Sequence, residues 1–161
     1  MVPLQFLQRV AGWLVLFTLL LVPGVVATVL WTPFLAARRL RSLFTTLPPA
    51  GRLLPTYVLV CIGASIPYVV GFLAVLATAD SAGVAWSRRL FTLALVLSTL
   101  YVVCVPLVGA LGLPRAGIDW DPTGYGPSTW LLLLVGAAWY ALVFAVPLVV
   151  LSILFAWPGG Y

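Results

Sequence analysis

The acidic residues whose spacing could support chemistry lie in one segment, Asp119-Trp120-Asp121-Pro122-Thr123-Gly124. The D-x-D-x-T order is the pattern of phosphatases that use aspartate as the nucleophile, and its oxygens also match the start of a calcium loop. The phosphatase would need a lysine and a β-strand, and the calcium loop would need an acid at its last position, where Trp130 stands. Asp, Pro and Gly favour turns on their own account. The segment therefore predicts a tight interfacial turn, with Ser128 or Thr129 capping the helix that follows.

Histidine, glutamate and lysine are missing from the whole sequence, which limits the chemistry that the chain can perform. Proton relays, imidazole metal sites and Ser-His-Asp catalysis all need residues of these types inside or beside the membrane. The basic residues are eight arginines, and they do not form the basic face that nucleic-acid binding requires. We therefore expect a protein without catalytic activity, without a cofactor or a metal, and without a nucleic-acid partner.

Four stretches of the sequence contain no Asp, Glu, Lys, Arg or His. A membrane-spanning helix needs ~20 mostly apolar residues, because the hydrocarbon core is ~30 Å thick. Only 7% of the residues are charged, whereas a soluble domain has about 25%. The sequence thus predicts one integral membrane domain over residues 1–161, an all-α polytopic bundle of four transmembrane helices. The predicted spans are residues 10–35, 55–78, 90–112 and 129–156.

Each predicted span contains an internal proline that is followed by small or β-branched residues. Proline removes a helical hydrogen bond and usually kinks the helix. Hinges around a cavity and the ordinary frequency of proline in membrane helices are both compatible with this pattern. The helix-kink candidates are Pro23, Pro67, Pro106 and Pro147.

The connection after the first span predicts a short amphipathic helix at the membrane interface. Leu40, Leu43, Phe44 and Leu47 recur at helical spacing, and Pro48-Pro49 ends the pattern. The interfacial anchor candidates in this connection are Arg38, Arg39, Arg41 and Arg52. They could simply anchor helix ends, or they could bind anionic lipids, which attract such residues. Their excess over the arginines of the opposite side favours a cytoplasmic location for this connection.

Small residues recur at every fourth position on two predicted spans, with a similar series at Gly63, Pro67 and Gly71 on a third. Such faces let helix backbones approach closely, which is the main route to helix association in lipid. Packing within one bundle and contact with a second subunit would both use them. The helix-association candidates are Gly24, Thr28 and Thr32 in the first span and Ala137, Ala141 and Ala145 in the fourth.

Taken together, these features favour a small integral membrane protein that acts through helix–helix association. It would be a homo-oligomer or an accessory subunit of a membrane complex, with the lipid bilayer as its surroundings. The alternative is a passive channel or carrier formed by a homo-oligomer, with the prolines shaping its path. The exclusive use of arginine and the Ala/Val/Leu/Gly/Pro bias are typical of a GC-rich prokaryotic genome, so we expect a multi-pass protein of a prokaryotic plasma membrane.

Overall fold

A computed structural model describes residues 4–48, 51–78 and 84–157, and in these ranges every regular element is helical. Four helical segments are long and apolar enough to cross a membrane. They cover Val10–Ala36, Leu53–Thr78, Val84–Arg115 and Pro127–Ala156. The prediction of an all-α bundle with four transmembrane helices is confirmed, and the chain is a multi-pass membrane protein.

In the described ranges the regular elements are seven α-helices, a 3-10 turn and a π-helical turn. The α-helices are α1 (Leu4–Leu20), α2 (Val22–Trp31), α3 (Arg38–Thr46), α4 (Leu53–Thr78), α5 (Val84–Leu107), α6 (Leu113–Arg115) and α7 (Pro127–Ala156). The 3-10 turn, Thr32–Ala36, ends the first span, and the π-helical turn, Val108–Gly112, joins α5 to α6.

The first predicted span, residues 10–35, agrees with the segment Val10–Ala36. It contains a turn at Leu21 between α1 and α2, where the N–H of Leu21 still bonds to Phe17 and the N–H of Val25 to Leu21. The start of the third span differs from the prediction. The third span begins at Val84, six residues earlier than predicted, and includes Arg88 and Arg89. Arg89 donates hydrogen bonds to the carbonyl and the hydroxyl of Thr78, at the C-terminal end of α4. Arginine at a helix end can stay in this way at the membrane surface, so it does not have to end the helix.

The four spans form a ring in which each one packs against two others. Helix α2 packs on α4 and α7, and α5 packs on α7 and α4, with the contact between α5 and α7 the most extensive. Each neighbour along the chain is thus a neighbour in space, and the ring closes between the first and last spans. This order makes α4 the partner of both α2 and α5.

The four prolines lie in different helical settings. Pro23 stands in the first turn of α2, two residues after the turn at Leu21 that separates α1 from α2. Pro67, Pro106 and Pro147 lie inside α4, α5 and α7. The π-helical turn begins at Val108, two residues after Pro106. The kinks themselves stay a prediction.

Candidate functional site

Helix α3 lies against the end of the bundle, with its apolar side turned toward α4. Leu40, Leu43 and Phe44 are buried, and Leu47 packs against the same core. The side chains of Arg38 and Arg41 are exposed. The predicted amphipathic helix is confirmed, because its apolar residues at helical spacing all meet the core.

Arg39 connects α3 to the first turn of α7. Its guanidinium donates to the hydroxyl of Ser128 at 2.6 Å and to that of Thr129 at 3.0 Å. Its Nε lies 4.0 Å from the carboxylate of Asp121. The anchor candidates therefore differ in their settings, since Arg39 is half-buried and paired while Arg38, Arg41 and Arg52 are exposed.

Asp121 is the buried centre of this connection, only 3% exposed. One carboxylate oxygen accepts from the backbone N–H and the hydroxyl of Thr123, and the other accepts from the hydroxyl of Thr129 at 2.6 Å. Burial by itself would raise the pKa of Asp121, but these hydrogen bonds and Arg39 outweigh burial and hold the pKa below its ordinary value. The carboxylate is thus an ionised acceptor inside a turn, as the turn interpretation of the D-x-D-x-T segment predicts.

The predicted cap of the last helix is wrong. Gly126 precedes α7, no side chain caps the helix, and Pro127 takes its first position. The hydroxyls of Ser128 and Thr129 are used by Arg39 and Asp121 instead. The proline at the first helical position has no N–H to satisfy, and the N–H of Thr129 bonds to the carbonyl of Gly126.

Trp120, beside Asp121, fastens the same loop to the π-helical turn. Its indole N–H donates to the carbonyl of Gly109 at 2.7 Å, and the side chain is 1% exposed. The N–H of Leu113 bonds to Val108, and Pro114 has no N–H to offer Gly109. The π-helical geometry and the proline thus leave the carbonyl of Gly109 without an N–H donor from the helix. The indole of Trp120 supplies that donor instead.

Aromatic side chains join the spans to one another by the same kind of bond. Trp31 on α2 donates to the carbonyl of Gly136 on α7 at 2.9 Å. Three tyrosine hydroxyls donate to carbonyls of other helices: Tyr57 to Thr28, Tyr101 to Ala64, and Tyr140 to Cys61. Sequence reasoning missed these residues. Their only signal was a polar aromatic tip in the middle of a span, where a buried hydroxyl or indole usually finds a partner.

These contacts surround an apolar cavity of about 400 Å³. Helix α3 closes one end of it with Leu40, Leu43, Phe44 and Leu47, and α4, α5, the π-helical turn and α7 form its walls. Four lining residues are exposed at the surface of the bundle: Val60 on α4, and Cys104, Val105 and Val108 on the opposite wall. A cavity with this lining can hold an apolar ligand. Its volume falls within the ~300–1,000 Å³ of ordinary ligand pockets.

The two cysteines both line this cavity as free thiols, Cys61 buried and Cys104 exposed. A cysteine in such a place behaves as a small apolar side chain.

Most of the helix-association candidates lie inside the bundle. A Cβ at Gly24 would come 2.5 Å from the hydroxyl oxygen of Ser65, so α2 and α4 are in close contact there. Thr28, Ala137 and Ala141 are buried as well. Ala145 is half-buried, and Thr32 is exposed at the start of the 3-10 turn. These faces bring helices together within one chain.

The third small-residue series behaves differently, because two of its members face outward from α4. Gly63 and Pro67 are exposed, and a Cβ at Gly63 would meet no atom within 4 Å. Gly71 belongs to the interior, since a Cβ there would come 2.5 Å from Leu93 on α5.

Comparison with known proteins gives a family and no named relative. No curated protein and no solved structure matches the chain. A family match extends over residues 11–159, which includes all four spans, the α3 connection and the Asp121 turn. The chain belongs to the family described as a domain of unknown function, DUF8162.

Proposed function

We propose that the protein acts through helix–helix association in the membrane, as a homo-oligomer or an accessory subunit, and that the outward face of α4 is the contact. The supporting observation is the exposed pair Gly63 and Pro67, with open space where a side chain at Gly63 would stand. A glycine on a lipid-facing surface lets a second helix approach to backbone distance.

Pro67 adds a second reason for contact at this point. In a regular helix the N–H of residue 67 would bond to the carbonyl of residue 63, and proline has no N–H. A lipid-facing carbonyl without a donor is costly, since no water reaches it in the hydrocarbon region. On the inward side of α4, the carbonyls of Cys61 and Ala64 receive tyrosine hydroxyls. A hydroxyl from a partner helix would serve Gly63 in the same way.

The role that we propose is not catalytic. In the D-x-D-x-T segment, Asp121 is the acid with the most contacts. Its carboxylate already accepts three hydrogen bonds and forms an ion pair with Arg39. A nucleophile or a metal ligand would have to be released from them. The alternative of a passive channel requires a wettable path, and the cavity between the spans has an apolar lining, which favours association.

The proposed location is the plasma membrane of a prokaryote. Its support is the sequence: arginine is the only basic residue that would position the helix ends, and the composition is the one expected of a GC-rich genome.

The test compares Gly63→Leu with Gly12→Leu, because Gly12 on α1 is also exposed with no atom within 4 Å of its Cβ. Two differently tagged copies are expressed together, and their association in the membrane is measured by energy transfer between the tags. Gentle purification then shows which membrane subunits accompany the protein in stoichiometric amounts. We expect Gly63→Leu to weaken association about tenfold or more, a change of ~1.4 kcal/mol. Gly12→Leu should associate like the wild type.

Equal association of all three proteins would refute a contact at Gly63. Thermal unfolding in detergent is the fold control. Both variants should unfold at the wild-type temperature or above it, since a Cβ at either position has no other atom within 4 Å and leucine favours helix.

A further inference from the structure

The cavity beneath α3 has a second, separate use that does not depend on association. We propose that it binds one hydrocarbon chain of an anionic phospholipid, whose headgroup lies at the arginines of the α3 end. The argument rests on the polar atoms of the lining, on the position of the opening and on the charge beside it.

The polar side-chain atoms of the aromatic lining are already paired. The Trp31 indole donates to Gly136, the Tyr101 hydroxyl to Ala64, and the Tyr140 hydroxyl to Cys61. The remaining lining is aliphatic side chains, Phe44, glycines and two thiols. A polar occupant would lose its hydrogen bonds to water without replacement, which costs free energy. The occupant that this lining accepts is therefore apolar.

The opening of the cavity faces the side of the bundle. Val60 on α4 and Val105 and Val108 on the opposite wall both line the cavity and are 42%, 37% and 56% exposed. These residues belong to segments that cross the membrane. What reaches them is lipid, so a chain of a neighbouring lipid can enter sideways without passing through water.

The charge at the α3 end selects among lipids. Arg38, Arg39, Arg41, Arg52 and Arg115 lie in the two connections at this end, against Asp119 and Asp121. Arg39 pairs with Asp121, while the other four arginine side chains are exposed. Arg41 directly follows Leu40 of the cavity wall, and Arg115 follows Leu113 of the wall by two residues. A lipid whose hydrocarbon chain lies in the cavity thus has a surplus of positive charge beside its headgroup.

The first experiment tests whether a hydrocarbon chain of a lipid occupies the cavity. Protein is reconstituted in vesicles of equimolar phosphatidylglycerol and phosphatidylcholine, extracted gently, and analysed for retained lipid by native mass spectrometry. Cys104→Phe fills the opening, and Val103→Phe is the matched control, because Val103 is 51% exposed and does not line the cavity. We expect the wild type and Val103→Phe to retain one phosphatidylglycerol that Cys104→Phe loses.

A second substitution at the same opening repeats the test. Val108→Phe should reduce the retained lipid as Cys104→Phe does, because Val108 lines the cavity and is 56% exposed. Unchanged lipid retention in both variants would overturn the proposal.

The second experiment tests the headgroup. Arg41→Gln should lower the preference for phosphatidylglycerol over phosphatidylcholine about fivefold, as expected for ~1 kcal/mol per arginine, and leave the total retained lipid unchanged. Arg88→Gln, at the opposite end of α5, is the control and should keep the wild-type preference. Equal retention of the two lipids by the wild type would refute the choice of an anionic lipid.

Discussion

Two regions hold this bundle together by different means, and the contrast shows how a membrane protein uses its few polar atoms. Between α2 and α4, Gly24 lies against Ser65, and Tyr57 donates its hydroxyl to the carbonyl of Thr28. Between α3 and α7, the guanidinium of Arg39 donates to the hydroxyl of Thr129, which in turn donates to the carboxylate of Asp121. The first region lies in the spans and the second at their ends.

The difference follows from the surroundings of each region. Inside the hydrocarbon a charge is expensive, so close backbone packing and neutral hydrogen bonds to carbonyls join the helices. At the membrane surface an ionised carboxylate can be kept, provided that its oxygens are bonded. The interior contact should therefore depend on shape, and the connection through Asp121 should depend on pH.

The largest effect is expected from Gly24→Leu, which breaks the interior contact. Ser65 would stand 2.5 Å from the first added carbon and belongs to the opposing helix. Overpacking should lower the free energy of unfolding by about 3 kcal/mol, measured by unfolding in mixed micelles. Gly12→Leu and Gly63→Leu, where no atom lies within 4 Å, are the controls and should be no less stable than the wild type. Equal stability of all three variants would contradict the close contact of α2 and α4.

Asp121→Ala tests the connection at the α3 end and should cost about 2 kcal/mol at neutral pH, because Thr129 and Arg39 lose a buried acceptor. Acid should reduce this difference. The pKa of Asp121 is lowered on folding, so its stabilising contribution is present above the unfolded value of 3.8 and is lost as the pH falls through the lower folded value.

Unfolding of the wild type and Asp121→Ala is therefore measured between neutral pH and pH 3 in a non-ionic detergent. The separation between the two stability curves should begin to shrink as the pH falls through 3.8, the unfolded value. A constant separation at every pH would show that the ionised form of Asp121 contributes nothing to the connection.

The smallest effect is expected from Tyr140→Phe, which removes one neutral bond of the interior and keeps the ring packing. The hydroxyl of Tyr140 donates to the carbonyl of Cys61, so its loss should cost about 0.6 kcal/mol, an ordinary value for a bond between membrane helices. The difference from the wild type should stay the same from neutral pH to pH 3, unlike that of Asp121→Ala. A pH-dependent difference would remove the distinction between the two regions.

The sequence could be interpreted correctly wherever a local pattern fixes the structure. Four apolar stretches determine four spanning helices because no other regular structure satisfies a single chain segment's backbone in lipid. The spacing of Leu40, Leu43 and Phe44 determined the buried side of α3 for a similar reason, since side chains at helical spacing share a face. The Asp119–Gly124 turn also follows from its own residues.

The candidate site could be predicted only in part. Gly24 and Ala141 have the small side chains that close packing needs, but the same pattern would fit a helix of this chain or of another one. The start of α5 was missed because Arg88 and Arg89 look like a boundary in the sequence. The cavity had no local signal at all, since its walls come from segments as far apart as α2 and α7.

The sequence alone thus determined that the chain is an all-α membrane protein, where its spans lie and that α3 is amphipathic, because each depends on composition and periodicity within one segment. Only the tertiary structure decided the order of the helices in the ring, the pairing of Arg39 with Asp121, the carbonyls that Tyr101 and Tyr140 reach, and which small-residue face remains outward. These depend on which segments meet, and apolar helices of similar composition can pack in many arrangements until specific contacts such as Gly24 with Ser65 select one.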